Sequence, residues 1–181
     1  MSIYQIDVAH SAAQFKVRHM MIANVKGEFD KVTGTVNFDP ANPSAATVEA
    51  SLDVSTISTR DEQRDAHLKS PDFLDVAQYP TINFKSKKVT ASSADSFTVV
   101  GDLTIHGVTK DVTLNVEELT GEAKDPWGNM RRGATAKAKI NRKDFGMAFN
   151  VALEAGGFLV GEEVDLTIDV EMIAQAAQAA S

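Results

Sequence analysis

The chain has 181 residues, 43% of them hydrophobic and 24% charged, the proportions of a soluble globular domain with enough surface to bury a core. A formal net charge of -7 and a pI ≈ 5.0 repel phosphate backbones, which excludes nucleic acid as a natural partner. The absence of cysteine removes disulfides, thiolate catalysis and Cys-type zinc sites together, and no run approaches the ~20 apolar residues of a membrane-spanning helix.

In chain order, the opening Met1-Ser2-Ile3-Tyr4-Gln5-Ile6-Asp7 has neither a basic n-region nor an apolar h-region. The expectation is therefore a cytoplasmic protein if Met1 is the native start, and a periplasmic one if the chain is trimmed from a longer form. Period-two alternation then dominates, the mark of strands with one dry face. Ala13, Phe15, Val17 and His19 alternate with polar residues, as do Val48, Ala50, Leu52 and Val54. The same pattern recurs in Phe97, Val99, Gly101, Leu103 and Ile105, in Val112, Leu114 and Val116, and in Ala134, Ala136, Ala138 and Ile140. It ends with Val164, Leu166, Ile168, Val170 and Met172. Turn signals separate the series at Asp39-Pro40-Ala41-Asn42-Pro43, His106-Gly107 and Asp125-Pro126-Trp127-Gly128-Asn129.

One segment breaks the alternation. Thr59 to Leu68 is rich in helix formers, with a cap at Ser58 or Thr59, and Ser70-Pro71 ends it. A second short helical turn is expected at Asp72-Phe73-Leu74-Asp75. The pattern predicts a mainly β, antiparallel barrel or sandwich with a helical insertion around residues 59–79. A single domain is expected over residues 1–173, with a disordered tail over 174–181.

Catalytic motifs are absent: the sequence has no nucleophile elbow, phosphate-binding glycine loop, paired-histidine zinc helix or calcium loop. Asp144-Phe145-Gly146 spells the kinase metal triplet without a kinase's other parts. His10, His19, His67 and His106 lack metal-ligand spacing, so neither a metal nor another cofactor is expected. Arg60, Arg64 and His67 fall at i, i+4 and i+7 and would share one helical face. That face either meets a polar head group at a barrel opening or pairs with acids such as Asp61 and Asp65. Inward series that mix Phe15 and Ile140 with Ala134, Ala136 and Ala138 either leave ligand space or fit the barrel's taper.

The residues resemble the YceI-like family of polyisoprenoid-binding, lipocalin-like proteins over nearly the whole chain. The stretches that carry the resemblance are Tyr4 to Ser11, Phe15 to Met21, the bend at Gly27-Glu28-Phe29 and the central block Ile57 to Ser70 with Asp72 to Asp75 and Tyr79-Pro80. Gly101 to Lys110, Ile140 to Met147 and Val160 to Val164 follow in order. The resemblance implies an extended antiparallel barrel with a helical insertion near one opening. It also implies a cavity for a long isoprenoid or similar lipid. On that basis the expected cavity residues are Phe15, Val17, His19, Leu103, Ile105, Ala136, Ala138, Ile140, Leu166 and Ile168, with Arg60, Arg64 and His67 at the opening. The expected activity is binding or carriage rather than catalysis, and a homodimer is left open. The competing readings are an enzyme using His10, His67, Asp7 and Asp65, and a stress-response protein with an incidental cavity.

Overall fold

The computed structural model describes residues 1–176. Eleven strands form one antiparallel sheet: β1 (Ser2–Ile6), β2 (Ala12–His19), β3 (Ala23–Phe29), β4 (Val32–Phe38), β5 (Thr47–Asp53), β6 (Thr81–Ala91), β7 (Phe97–Ile105), β8 (Val108–Glu117), β9 (Ala123–Lys124), β10 (Met130–Asn141) and β11 (Val160–Ala174). A single α-helix, α1 (Glu62–Lys69), is present among the described residues. Hydrogen-bonded neighbours run from β1 through β4, β5, β6, β7, β8, β10 and β11 and back to β1, so eight strands close a barrel and leave no free edge within it.

The alternating series fall where expected. Along β7 every second residue, Phe97, Val99, Gly101, Leu103 and Ile105, is buried. His106 and Gly107 both take left-handed φ values, 54° and 72°, the geometry of a two-residue turn that matches strand twist. β11 is the longest strand and pairs with three others: β10 along most of its length, β2 through Val160–Asp169, and β1 through Met172–Ala174. The β2–β3 hairpin therefore continues the wall beyond the end of β1, along the outer part of β11.

Several expectations are corrected. The helix starts at Glu62, not Thr59, because the Asp61 carboxylate accepts from the Arg64 N–H at 3.0 Å and acts as the cap. It stops at Lys69, where the Ser70 hydroxyl donates to the His67 carbonyl and Pro71 follows. Residues 71–74 make hydrogen-bonded turns rather than a second helix. Gly27-Glu28-Phe29 is the end of β3, not a bend. β11 runs to Ala174, and the expected disorder of residues 177–181 lies outside the described residues.

Candidate functional site: an apolar tunnel open at one end

Two cavities lie end to end inside the barrel. The inner one, about 220 Å³, is enclosed by apolar side chains including Phe38, Phe97, Val99, Leu103, Ala136, Ile168 and Met172. The outer one, about 470 Å³, lies between the barrel rim, α1 and the 142–160 segment. Phe15, Phe29, Ile82, Ile105 and Leu166 line both and form the neck between them. At this neck the Phe15 and Phe29 rings sit 5.7 Å apart, tilted by 44°. Phe15 lies flat across Gly27: a Cβ there would collide with the Phe15 ring and press on Thr59, so the ring position depends on a residue with no side chain.

The two ends differ in construction. At the inner end Tyr4, 1% exposed, donates its hydroxyl to Glu122 at 2.5 Å, and the Arg132 guanidinium donates to the same hydroxyl at 3.0 Å. Arg132 also lies over the Tyr4 and Phe38 rings, 5.8 and 5.6 Å from their centroids, and bonds the Thr120 carbonyl. Burial, with the Glu122 carboxylate beside it, pushes the Tyr4 phenol above its ordinary pKa. These side chains stack behind Phe38, which lines the inner cavity.

At the outer end Arg142, 3% exposed, holds an opening in shape instead. Its guanidinium donates to the carbonyls of Met147 at 2.6 Å, Gly161 and Phe149 at 2.8 Å, and Val160 at 3.2 Å. Burial pulls its pKa below the usual arginine value, with Glu162 opposing. It sits at the start of a 3-10 turn (Arg142–Phe145) that ends in Gly146 at φ 78°, and it draws that turn onto the start of β11. On the facing side, the His67 Nε2–H donates to the Asp72 carboxylate, 2.8 Å away, and the ring stacks edge-on against Phe73 and Phe149.

Of the residues expected from sequence, Phe15, Ile105 and Leu166 lie at the neck, Leu103, Ala136 and Ile168 in the inner cavity, and Val17, His19 and Ile140 in the outer one. Ala138 packs against the core but lines neither cavity. The opening trio is corrected. Arg64 and His67 line the outer cavity, but Arg60 precedes the helix with φ 62° and faces a separate outer groove. Arg64 is occupied in holding the insertion: it donates to the Thr59 hydroxyl at 2.7 Å and the Thr59 carbonyl at 2.8 Å. Asp65 accepts from the same hydroxyl at 2.6 Å and from the Thr59 N–H at 2.8 Å. The three residues form no cationic face.

The candidate acid and base groups do not converge on the tunnel. Asp7, His10, Glu171 and Asp125 gather around Arg131 on the outer wall, and none of them lines either cavity. The Arg131 guanidinium, with His10, holds the Asp7 carboxyl down to about 2. Asp7, His10 and Glu171 are close enough to share a cation, but Arg131 already supplies the positive charge there. Sequence reasoning missed Arg142 and the Tyr4–Arg132–Glu122 closure. The only signal for Arg142 was its place directly after an alternating strand, within the quoted Ile140 to Met147 block.

Residues 4–172 match the YceI-like domain. The chain belongs to the YceI-like family. A YceI protein of Escherichia coli O157:H7 is 38% identical over 174 residues, covering 95% of this chain and 87% of its own. A UPF0312 protein of Staphylococcus aureus is 38% identical over 172 residues, covering 94% and 97%. Among solved structures, YceI of Campylobacter jejuni superposes with a TM-score of 0.73 at 31% identity, covering 88% of this chain and 90% of that one. BcnA of Burkholderia cenocepacia shares the fold, with a TM-score of 0.80 at 22% identity over 92% and 98%. So does a polyisoprenoid binding domain from Saccharophagus degradans, with a TM-score of 0.69 at 16% identity over 95% and 98%. The YceI-like barrel is thus the frame on which the two cavities of this chain are built.

Proposed function

We propose that this YceI-like protein binds and carries a long apolar lipid of the polyisoprenoid kind, chain inward and head at the outer cavity. The observation that carries the reading is the two-part apolar tunnel, closed at Tyr4 and Arg132 and framed open by Arg142. An apolar space of this kind favours hydrocarbon over water. At about 0.8 kcal/mol per buried CH₂, chain burial alone gives tight binding without any chemistry. The Saccharophagus degradans domain, described as polyisoprenoid binding, supports the ligand class. An enzymatic reading finds no support in the positions of Asp7, His10, Asp65 and His67, which are split between the outer wall and the insertion.

The arginines lining the outer cavity are Arg18, Arg64 and Arg142, and the bonds they already make argue against selection by head charge, Arg18 donating to the Met21 carbonyl at 3.2 Å. Arg64 is held by Thr59 and Arg142 by backbone carbonyls, so neither is free to take a phosphate. Prenol and prenyl phosphate of equal length should bind within about tenfold of one another, a difference of about 1.4 kcal/mol. The deciding experiment is lipid extraction from purified protein followed by mass spectrometry, for the natural chain and for Ala136→Trp. The indole would occupy the inner cavity, and losing room for two or more CH₂ groups lowers loading about tenfold or more. Equal loading of the folded variant, or no prenol uptake by the natural chain, would overturn the reading.

A further inference from the structure

Around the open end the chain exposes apolar side chains that the barrel core does not use. Met20, Met21 and Ile22, at the tip of the β2–β3 hairpin, are 44%, 58% and 75% exposed. Val151 and Phe158, in the hairpin-like loop before β11, are 48% and 54% exposed. The two segments lie against one another. The Met20 N–H donates to the Leu159 carbonyl at 2.8 Å, and Met21 lies across Gly157, where any side chain would clash with it. The Leu159 N–H donates in turn to the Val151 carbonyl at 2.9 Å. Met20 and Met21 hold left-handed φ values of 50° and 61°, costly for non-glycine residues, and the turn they make presents both side chains to solvent.

The lip is continuous with the tunnel. His19 and Arg18, just before the hairpin tip, line the outer cavity, and so do Phe149 and Leu159 at the ends of the facing loop. Across residues 20–22 and 151–158 the only charged side chain is Glu154. A contiguous, nearly uncharged apolar rim on an otherwise acidic protein marks an interaction surface. Its position at the open end of a hydrocarbon tunnel, and its low charge, with Arg18 the cation that touches it by donating to the Met21 carbonyl at 3.2 Å, favour one occupant. A second protein would need polar complementarity, and an anionic membrane surface would need lysine or arginine. A zwitterionic bilayer needs neither, and it is also where a long apolar lipid resides.

We infer that the Met20–Ile22 tip and the Val151–Phe158 loop form a lip that inserts into the surface of a lipid bilayer, setting the tunnel mouth against the membrane so that a lipid chain slides in without crossing water. This rests on the carrier reading above and names the surface from which the carrier loads. Shallow insertion of apolar side chains at the head-group level makes the contact reversible and insensitive to salt.

The test compares the natural chain with a Met21→Asp, Ile22→Asp, Phe158→Asp variant. All three sites are exposed, so the fold should hold, and thermal melting checks this; Ile22→Ser serves as a milder second variant. Flotation with phosphatidylcholine vesicles should recover the natural chain at low and at high salt, and the triple variant about tenfold less. Uptake of a fluorescent prenol from vesicles should slow by a similar factor, while uptake of the same prenol added in solution stays unchanged. A natural chain that does not float would overturn the lip, as would a variant that loads from vesicles as fast. So would a patch that only joins two copies, seen as a dimer abolished by the variant without vesicle affinity. A failure of solution uptake in both proteins would strike the carrier reading instead, and flotation would still judge the lip.

Discussion

The two ends of this barrel are each organised by one arginine, and the two arginines do opposite things. Arg132 lies across the Tyr4 and Phe38 rings and fills the space between strands. Arg142 reaches no aromatic ring; its donors go to four carbonyls of two chain segments that would otherwise fall apart or collapse inward. The same guanidinium thus serves as a plug where it meets π faces and as a frame where it meets backbone acceptors. A barrel of eight strands needs both to become a one-ended tunnel, because closure of the sheet alone fixes the wall and says nothing about its ends.

The largest effect expected from breaking this comparison is at the frame. Arg142→Met removes the guanidinium donor from the Met147, Phe149 and Gly161 carbonyls in a buried setting, while the Val160 carbonyl keeps the Asn150 amide, and should cost about 3–5 kcal/mol in denaturant unfolding. It should also abolish lipid retention. A loss under about 1 kcal/mol would mean that the outer end is held by something else. At the plug, Arg132→Met should cost about 2 kcal/mol, from two cation–π contacts and the bond to the Tyr4 hydroxyl. Its sharper readout is the ligand: chains extracted from the variant should be longer than those from the natural protein, since the inner cavity gains an exit. Unchanged chain length would show that Arg132 does not limit the tunnel.

Smaller effects test the neck and the outer wall. Gly27→Ala forces the Phe15 ring off the strand and should cost about 1–3 kcal/mol while changing the rate of prenol uptake, measured by stopped-flow fluorescence. On the outer wall, the Arg131 guanidinium holds the Asp7 carboxyl down to about 2, below its ordinary value. A lowered folded pKa stabilises above the unfolded value, so this contribution is complete above pH ~4 and fades as the pH falls toward 2. Asp7→Asn should flatten the stability curve in that window and leave ligand binding as it is. The smallest effect is at Arg60, which bonds only through its backbone and faces away from the mouth. Arg60→Gln should change stability by less than about 0.5 kcal/mol and leave binding of prenol and prenyl phosphate unaltered.

Much of the wall was legible in the sequence, and the reasons for the gaps are physical. β2, β5, β7, β10 and β11 carry period-two series, and β8 carries one from Val112 to Val116, because each keeps one face dry there. β6 escaped because its register shifts between Ser86 and Lys88, which throws Val89 out of phase with Ile82 and Phe84. β3 and β4 escaped because Gly27 and Gly34 stand where an apolar side chain would have marked the inner face. The cavity residues followed from the strands, and most of those named line one of the two cavities. The opening did not follow, since Arg60 takes a left-handed φ that ends the helical spacing before it begins, and Thr59 competes for Arg64. The plug joins Tyr4 to residues 118 and 128 positions away, and no local pattern encodes such a meeting.

The last strand has a consequence for how the chain reaches this state. β11 is the seam: it pairs with β10, its neighbour in the sequence, and with β1 and β2 from the opposite end of the chain. Until residues 160–174 are in place, β1, β2 and β10 each present an unpaired edge, and the loops that must close to cover β1 and β2 are nearly as long as the protein. Loop entropy of that kind makes closure a late, slow event on the millisecond-to-second scale. On a ribosome the seam is the last of the barrel's strands to be made, so the earlier strands wait for it as an open, sticky sheet. Truncation before Val160 should therefore give aggregation rather than a smaller barrel, because an open sheet of this length offers its edges to every copy beside it.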